Sequence, residues 1–271
     1  MRITFLGTAA AEGYPGIFCN CDFCREARAL GGKNLRFRSA LLVNDDLLID
    51  FGPDLLAASQ RLNLSLWGVR TGLVTHGHAD HFYTGNFEMR GKAFTAEQPI
   101  PQLRLYSPAD VAAVLAKEFP DLSKLHLETR PVKAFDSWQD GGYTFTALRA
   151  YHAIDRFEAF FYAIDDGQRA FLYATDTGLF PAETWQALEG CSFDQIVLEE
   201  TLGDGVYSQH MGFETFLEHV RRMRAGGMLR PGGRVIAHHL SHSGNPTHAR
   251  LEAFFAPHGV EVAYDGLVIN L

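Results

Sequence analysis

A cluster of side chains suited to metal binding lies in the segment Thr75-His76-Gly77-His78-Ala79-Asp80-His81. Three imidazoles and a carboxylate fall within six residues, and burying several unpaired histidines beside an aspartate would be costly without a cation. Borderline divalent metals favour imidazole nitrogen with one or two carboxylate oxygens. On an extended segment His76 and His78 point to the same side, and a tight turn would bring Asp80 and His81 to a second metal. A polar loop with chance histidines is the alternative, and the residue types favour a metal centre.

Three of the four cysteines form a second cluster, Cys19, Cys21 and Cys24. Cytosolic thiols are kept reduced, so a disulfide framework is not expected. Three thiols this close suit one soft, tetrahedral metal site with a fourth ligand from elsewhere. Redox-active or incidental buried cysteines are the alternative. Cys191 stands apart and is interpreted as a small core residue.

The length, composition and net charge of the chain limit the kinds of substrate it is expected to bind. The 271 residues suffice for one large domain, 1–271, with 46% apolar and 21% charged residues. The net charge of −8 argues against charge-driven binding to a nucleic-acid polymer, which depends on Lys and Arg. It leaves room for a small phosphorylated substrate, because metal ions supply positive charge locally.

Neither a signal peptide nor a membrane span is expected. The N-terminal run is broken at Gly7, and no apolar run approaches the ~20 residues that cross a bilayer. A cytoplasmic enzyme with no membrane partner is the expectation.

The predicted strands explain how distant residues would meet. An apolar strand-like run precedes each of His76, His152, Asp176, Glu200 and His239. Loops at one end of a rigid sheet core are where catalytic groups collect. Early strands come in hairpins and helices separate the later ones, which favours packed sheets with helices outside. Periodic spacing predicts a helix over Leu55–Leu62, and Asp22 is expected to cap another helix that runs through Ala29.

The pattern His76-x-His78-x-Asp80-His81 resembles the signature of the metallo-β-lactamase superfamily, whose fold is an αββα sandwich of two mixed β-sheets flanked by helices. The resemblance implies a binuclear hydrolase and assigns ligands to its metals. One metal would be held by His76, His78 and His152, the other by Asp80, His81 and His239, with Asp176 bridging both.

Asp50 and the last histidine ligand each have an alternative interpretation. Asp50, after Leu47-Leu48-Ile49, matches the first acidic motif of the superfamily and would brace the metal loop. A turn-capping Asp is the other interpretation. His238 and His239 compete for one ligand role, and the residues that follow favour His239.

The N-terminal segment resembles that of one particular group of enzymes within this superfamily. Gly7 to Pro15, followed by Cys19-x-Cys21-x-x-Cys24, is similar to the cyclic phosphodiesterases of the carbon–phosphorus lyase pathway. That resemblance implies a structural zinc held by three Cys and a His three residues after the last catalytic His, here His242. The B protein of pyrroloquinoline quinone biosynthesis shares the Cys pattern but usually lacks the intact His-Asp motif.

The expected mechanism uses water between two metals. Two divalent ions, Zn or Mn, with iron also open, would lie roughly 3.5–4 Å apart and generate a metal-bridging hydroxide that attacks phosphorus in line. Asp80 belongs to this catalytic centre as a ligand, and His210 is the candidate proton donor to the leaving oxygen. A surface His beside a helix is the alternative for His210. Glu199 and Glu200 are interpreted as supporting or solvated charges rather than catalytic groups.

The predicted function is hydrolysis of a small cyclic phosphodiester, such as a cyclic ribose phosphate or a 2′,3′-cyclic nucleotide. A tRNA 3′-end endonuclease is one alternative, although the candidate tRNA-binding insertion, residues 89–104, is short. A non-catalytic metal-bound biosynthetic protein is the other. Thiolester or lactam hydrolysis is chemically open, and the resemblance suggests a homodimer.

Overall fold

The computed structural model of the chain describes residues 1–95 and 99–271. Residues 96–98, within the insertion predicted over 89–104, lie outside the described residues. The strands in this part of the chain are β1 (Arg2–Gly7), β2 (Ala40–Val43), β3 (Leu47–Ile49), β4 (Thr71–Leu73), β5 (Leu103–Ser107), β6 (Leu127–Pro131), β7 (Ser137–Asp140), β8 (Tyr143–Arg149), β9 (Phe160–Asp165), β10 (Ala170–Ala174), β11 (Phe193–Glu199), β12 (Leu229–His238), β13 (Val260–Val262) and β14 (Val268–Asn270).

The α-helices lie between them. They are α1 (Asp22–Leu30), α2 (Leu55–Leu62), α3 (Gly85–Glu88), α4 (Ala109–Glu118), α5 (Ala182–Ala187), α6 (Phe213–Ala225) and α7 (His248–Phe255). Helix α2 has the predicted bounds. Helix α1 begins where predicted, but the capping prediction was wrong, because the Cys21 sulfur rather than Asp22 accepts from the backbone N–H of Cys24.

The strands form two seven-stranded mixed sheets. The first has the order β14-β1-β2-β3-β4-β5-β6 and the second β13-β12-β11-β10-β9-β8-β7. Strands β3 to β6 are parallel to one another, as are β10 to β13. The remaining neighbours are antiparallel.

Three layers of core hold the sheets and helices together. Buried side chains from both sheets, such as Phe5, Ile49, Tyr162 and Phe171, pack between them. The outer face of the second sheet packs on α5, α6 and α7, and that of the first on α2 and α4. The central strand β10 is buried at every residue, as expected for a strand covered on both faces. This is the αββα sandwich that the resemblance predicted.

No helix in the described ranges is both long and apolar enough to cross a membrane.

Candidate metal centre and active site

The site lies where the parallel strands of both sheets end. Asp50 follows β3 and the segment 75–81 follows β4, while Asp176, Glu199 and His239 mark the ends of β10, β11 and β12. Carboxyl ends of parallel strands meet at one sheet edge, so residues far apart in sequence become neighbours.

His76, His78 and His152 converge on one point. His78 Nδ1 lies 2.9 Å from His76 Nε2 and 3.1 Å from His152 Nε2. A neutral imidazole nitrogen is either a donor or an acceptor. Hydrogen bonds alone therefore do not explain why His78 Nδ1 faces two other imidazole nitrogens at such short distances. Ligand distances of about 2.0–2.1 Å to a shared cation account for three nitrogens this close.

A second group adjoins the first and contains Asp80, His81, Asp176 and His239. His81 Nε2 lies 3.1 Å from Asp80 Oδ2 and in very close contact with Asp176 Oδ2. His239 Nε2 lies 3.1 Å from the same Asp176 oxygen. Asp176 also faces His76 and His152, each at 3.9 Å, so its carboxylate lies between the two groups.

Unsatisfied buried atoms test whether this set fits a metal. The Oδ2 of Asp176 and the Nε2 atoms of His81 and His239 are buried and lie close together, yet none of them makes a hydrogen bond of normal geometry among the described residues. Buried polar atoms are normally hydrogen-bonded or bound to a cation. Imidazoles with carboxylates are the donors that Zn, Mn and Fe accept. The donor set therefore fits divalent cations.

Burial and charge set the protonation of the donors. Burial lowers the pKa of His76 well below its ordinary value, which leaves the neutral imidazole that a metal requires. Burial also lowers the pKa of His81, but the carboxylates of Asp80 and Asp176 outweigh it and raise the pKa well above the ordinary value. Burial raises the pKa of Asp176, and the surrounding histidines reverse this and hold it well below its usual range.

Hydrogen bonds behind the donors fix their orientation. Asp50, fully buried, accepts from His81 Nδ1 at 2.7 Å and from the backbone N–H of Thr75 at 2.8 Å. The Thr75 hydroxyl lies 3.0 Å from His76 Nδ1, and the Thr201 hydroxyl lies 2.9 Å from His239 Nδ1. Outer partners of this kind orient metal-binding imidazoles and fix their tautomer.

The backbone is strained at three of these positions. Asp50, Asp176 and His239 have φ values of 66°, 45° and 58°, in the left-handed region that residues other than glycine rarely adopt. Such strain persists where the surrounding structure determines it and concentrates at functional sites. At His239 this conformation separates two neighbours: His239 faces Asp176, whereas His238 packs between Phe5 and Tyr173 and contacts the Gly7 carbonyl.

His210 lies beside the second group. Its Nδ1 is 2.9 Å from Glu199 Oε2 and 3.7 Å from Asp176 Oδ1, and its ring stacks on that of His239. Burial lowers the pKa of His210, but Glu199 outweighs this and raises it to about 9. The structure therefore places His210 in the cluster rather than on the open surface.

Glu199 and Glu200 are fully buried, which excludes the solvated charges and leaves the other interpretation, that they support neighbouring groups. Glu199 accepts from the Met211 N–H at 2.6 Å and the Thr201 hydroxyl at 2.8 Å as well as facing His210. A supporting role was one of the two interpretations of Glu199, but its contact with His210 was not predicted from the sequence. Glu200 instead accepts from the Gly203 N–H at 2.8 Å, away from the donor groups.

The cysteine cluster gathers on the far side of the loop that follows His239. Cys19, Cys21, Cys24 and His242 bring four donor atoms within 4.8 Å of one another, and Cys21 Sγ lies 3.7 Å from His242 Nδ1. Gly16 leaves room for His242 in its present position, because a Cβ would lie 2.7 Å from His242 Nε2. Three sulfurs and one imidazole nitrogen fit a closed tetrahedral zinc site.

Comparisons with known proteins agree with this architecture. A family model described as a beta-lactamase superfamily domain matches residues 46–239. Coenzyme PQQ synthesis protein B of Bradyrhizobium diazoefficiens is 29% identical over 147 residues, which are 49% of this chain and 44% of that protein. The chain thus spans less than half the length of this curated relative.

Three solved structures are similar over nearly their whole length. A diphosphatase of the PhnP family has a TM-score of 0.78 at 21% identity, covering 100% of this chain and 97% of that one. Zn(2+)-bound PqqB of Methylobacterium extorquens has a TM-score of 0.76 at 18% identity, covering 100% of both. The short form of human tRNase Z has a TM-score of 0.67 at 19% identity, covering 100% of this chain and 99% of that one. At these identities the likeness confirms the fold.

Proposed function

The chain belongs to the metallo-β-lactamase superfamily, a family of metal-binding hydrolases, and from this we propose that it is a binuclear phosphodiesterase acting on a small cyclic phosphodiester. A cyclic ribose phosphate and a 2′,3′-cyclic nucleotide are the substrates of this kind that we favour. The observation that carries the proposal is the position of His210, held by buried Glu199, beside two adjoining donor groups; Asp176 belongs to the second group and lies 3.9 Å from His76 and His152 of the first.

Each of the two donor groups would hold one metal ion. His76, His78 and His152 would hold one divalent ion. Asp80, His81 and His239 would hold the other, and Asp176, which faces both groups, would bridge them. Zinc or manganese bound there supplies Lewis acidity toward water and toward phosphoryl oxygens.

The proposed proton donor is His210. Its Nδ1 faces Glu199 Oε2 at 2.9 Å, which leaves Nε2 to give a proton to the oxygen that departs from phosphorus. Glu199 itself is held by Met211 N–H and the Thr201 hydroxyl, and Thr201 also contacts His239. One carboxylate thereby aligns the donor imidazole relative to the metal ligands.

A structural zinc at Cys19, Cys21, Cys24 and His242 belongs to the same proposal. The loop that joins it to His239 is fixed by backbone hydrogen bonds, since Leu240 N–H donates to Thr8 and its carbonyl accepts from Ala10. Zinc at this site would hold the loop in the conformation that aims His239 at Asp176.

Hydrolysis of bis-p-nitrophenyl phosphate and 2′,3′-cyclic nucleotides, with metal content quantified, tests the function. We expect activity with about three metals per chain, two catalytic and one structural. His76→Ala should abolish turnover and lower the metal content, whereas His126→Ala, at an exposed histidine outside both clusters, should match the wild type. Fully metal-loaded protein that hydrolyses no phosphodiester would refute the proposal.

A role in coenzyme synthesis is the second candidate, because the curated relative is a coenzyme PQQ synthesis protein. Similarity to Zn(2+)-bound PqqB over the full length of both chains supports it. The same assay separates the two candidates, since only the phosphodiesterase requires His210 for turnover of a phosphodiester.

A further inference from the structure

A cavity of about 260 Å³ opens between helix α4 and the segment 75–81, which carries four of the candidate ligands and is called the donor loop below. Gly77 and Ala79, which alternate with His76, His78 and Asp80, form one wall with their backbone and small side chains. Val111 and Val114 of α4 form the opposite wall. The volume is slightly below the ~300–1,000 Å³ of sites for drug-sized ligands, so it suits a group the size of a sugar or nucleoside.

Three aromatic side chains line this cavity, buried Phe82 and the more exposed Phe157 and Tyr83. The Phe157 ring packs edge-on against the His78 ring, with centroids 5.2 Å apart and planes at 87°. A Cβ at Gly77 would come within 3.3 Å of the Phe157 ring. The absence of a side chain at Gly77 therefore allows that ring to pack closely against the donor loop. Tyr83 lies on the cavity wall and is 49% exposed. Partly exposed aromatic faces provide stacking surface for a base or the apolar face of a sugar.

The polar groups of the cavity are acidic. Asp110 and Glu118 line it together with Thr84, and Thr84 donates to Glu118 Oε1 at 3.0 Å. Asp110 Oδ2 is buried and has no hydrogen-bond partner in the described part of the chain. No Lys or Arg is among the described lining residues.

We propose that this cavity is the subsite for the organic part of the substrate, and that this part is an uncharged or cationic ribose or nucleoside carrying no second phosphate. The inference rests on the proposed function. Two of the lining residues, Gly77 and Ala79, flank His78 in sequence, and the lining ring of Phe157 contacts the His78 ring. A ligand in the cavity would therefore be separated from the first donor group by His78 and Phe157 alone, which is why we assign it to the organic part of the substrate. Carboxylates accept hydrogen bonds from hydroxyl or amino groups and repel a phosphate.

Filling the cavity tests the location. Val114→Trp places a large side chain on a wall residue that is 47% exposed. We expect at least a ~10-fold higher KM for adenosine 2′,3′-cyclic phosphate, because a pocket discriminates steeply against lost volume. The KM for methyl p-nitrophenyl phosphate, which lacks a nucleoside, should not change. Ala113→Trp, at an exposed position on the same helix outside the lining, is the matched control.

A binding measurement accompanies the kinetics. The affinity for adenosine 3′-monophosphate, measured by calorimetry with the metal-loaded protein, should fall about 10-fold in Val114→Trp and stay at the wild-type value in Ala113→Trp. Equal effects of the two tryptophans on KM and on affinity would overturn the subsite while leaving the phosphodiesterase proposal intact. Wild-type protein that hydrolyses neither substrate would instead refute the proposed function on which the subsite rests.

The charge of the cavity is tested by a second substrate pair. Wild-type protein should favour adenosine 2′,3′-cyclic phosphate over its 5′-phosphorylated form by roughly 10-fold in kcat/KM, because like charges in a partly desolvated cavity repel. The double variant Asp110→Asn, Glu118→Gln keeps both side-chain shapes and should bring this ratio close to one. A wild-type preference for the 5′-phosphorylated form would overturn the assignment of an uncharged ligand.

Discussion

Asp50→Asn probes how a residue outside the donor groups controls them. One Asp50 oxygen accepts from the Thr75 N–H at 2.8 Å and the other from His81 Nδ1 at 2.7 Å. An asparagine offers one carbonyl oxygen, so its NH₂ must face one of these two donors. If the amide faces His81, the imidazole proton has to move to Nε2, which removes the lone pair that would bind a metal ion beside Asp80 and Asp176.

The expected effect follows from that tautomer. Loss of an outer partner of a metal-binding histidine lowers metal affinity by about 10–100-fold, or ~1.4–2.7 kcal/mol. If the amide faces Thr75 instead, a buried N–H loses its acceptor at a cost of ~1–3 kcal/mol in the free energy of unfolding. In either orientation the side chain is fully buried, so water cannot replace the missing acceptor.

Metal affinity by chelator competition and the free energy of unfolding by urea titration measure the two outcomes. Asp54→Asn is the matched control, because Asp54 accepts from the Arg38 N–H at 3.0 Å and lies outside the donor groups. The control should keep wild-type metal affinity. Wild-type affinity together with wild-type stability in Asp50→Asn would refute the reasoning.

Three further changes have definite expected results. His210→Ala should lower kcat by roughly 10²–10⁴-fold while elemental analysis finds the wild-type metal content; loss of a metal would make His210 a ligand. Cys21→Ser should remove one metal and lower the melting temperature while the catalytic pair still loads, and loss of every metal would show that the sites are not separable. Burial raises the pKa of Glu200 from 4.5 to about 8. The contribution of this carboxyl to the free energy of unfolding is therefore fully present below pH ~4.5. It is lost as the pH rises towards 8, at up to ~1.4 kcal/mol per pH unit. Glu200→Gln should flatten that decline in pH-dependent unfolding, and an unchanged slope would count against the buried carboxyl as its cause.

Local patterns in the sequence were sufficient for several elements and for the donor types. Helix α2 has the predicted bounds because its apolar spacing is a local property. The pattern from His76 to His81 indicates side chains able to bind metal, because residue type is independent of the fold. The alternation of strands and helices predicted layers of sheet with helices outside. The short strands β6 and β7 were not predicted, because half-buried edge strands carry little apolar signal.

Tertiary structure decided what those residues face. His238 and His239 are identical in type and adjacent in sequence, and only the left-handed turn at His239 directs one to Asp176 and the other into the core. Glu199 and Glu200 are likewise indistinguishable by sequence, and the segment after β11 folds back so that His210 and the Met211 N–H meet Glu199 rather than Glu200. The cavity beside Gly77 arises from contact between a loop and a distant helix. Sequence determined which chemistry is available, because side-chain type is local, whereas its direction depends on contacts that the chain makes only when folded.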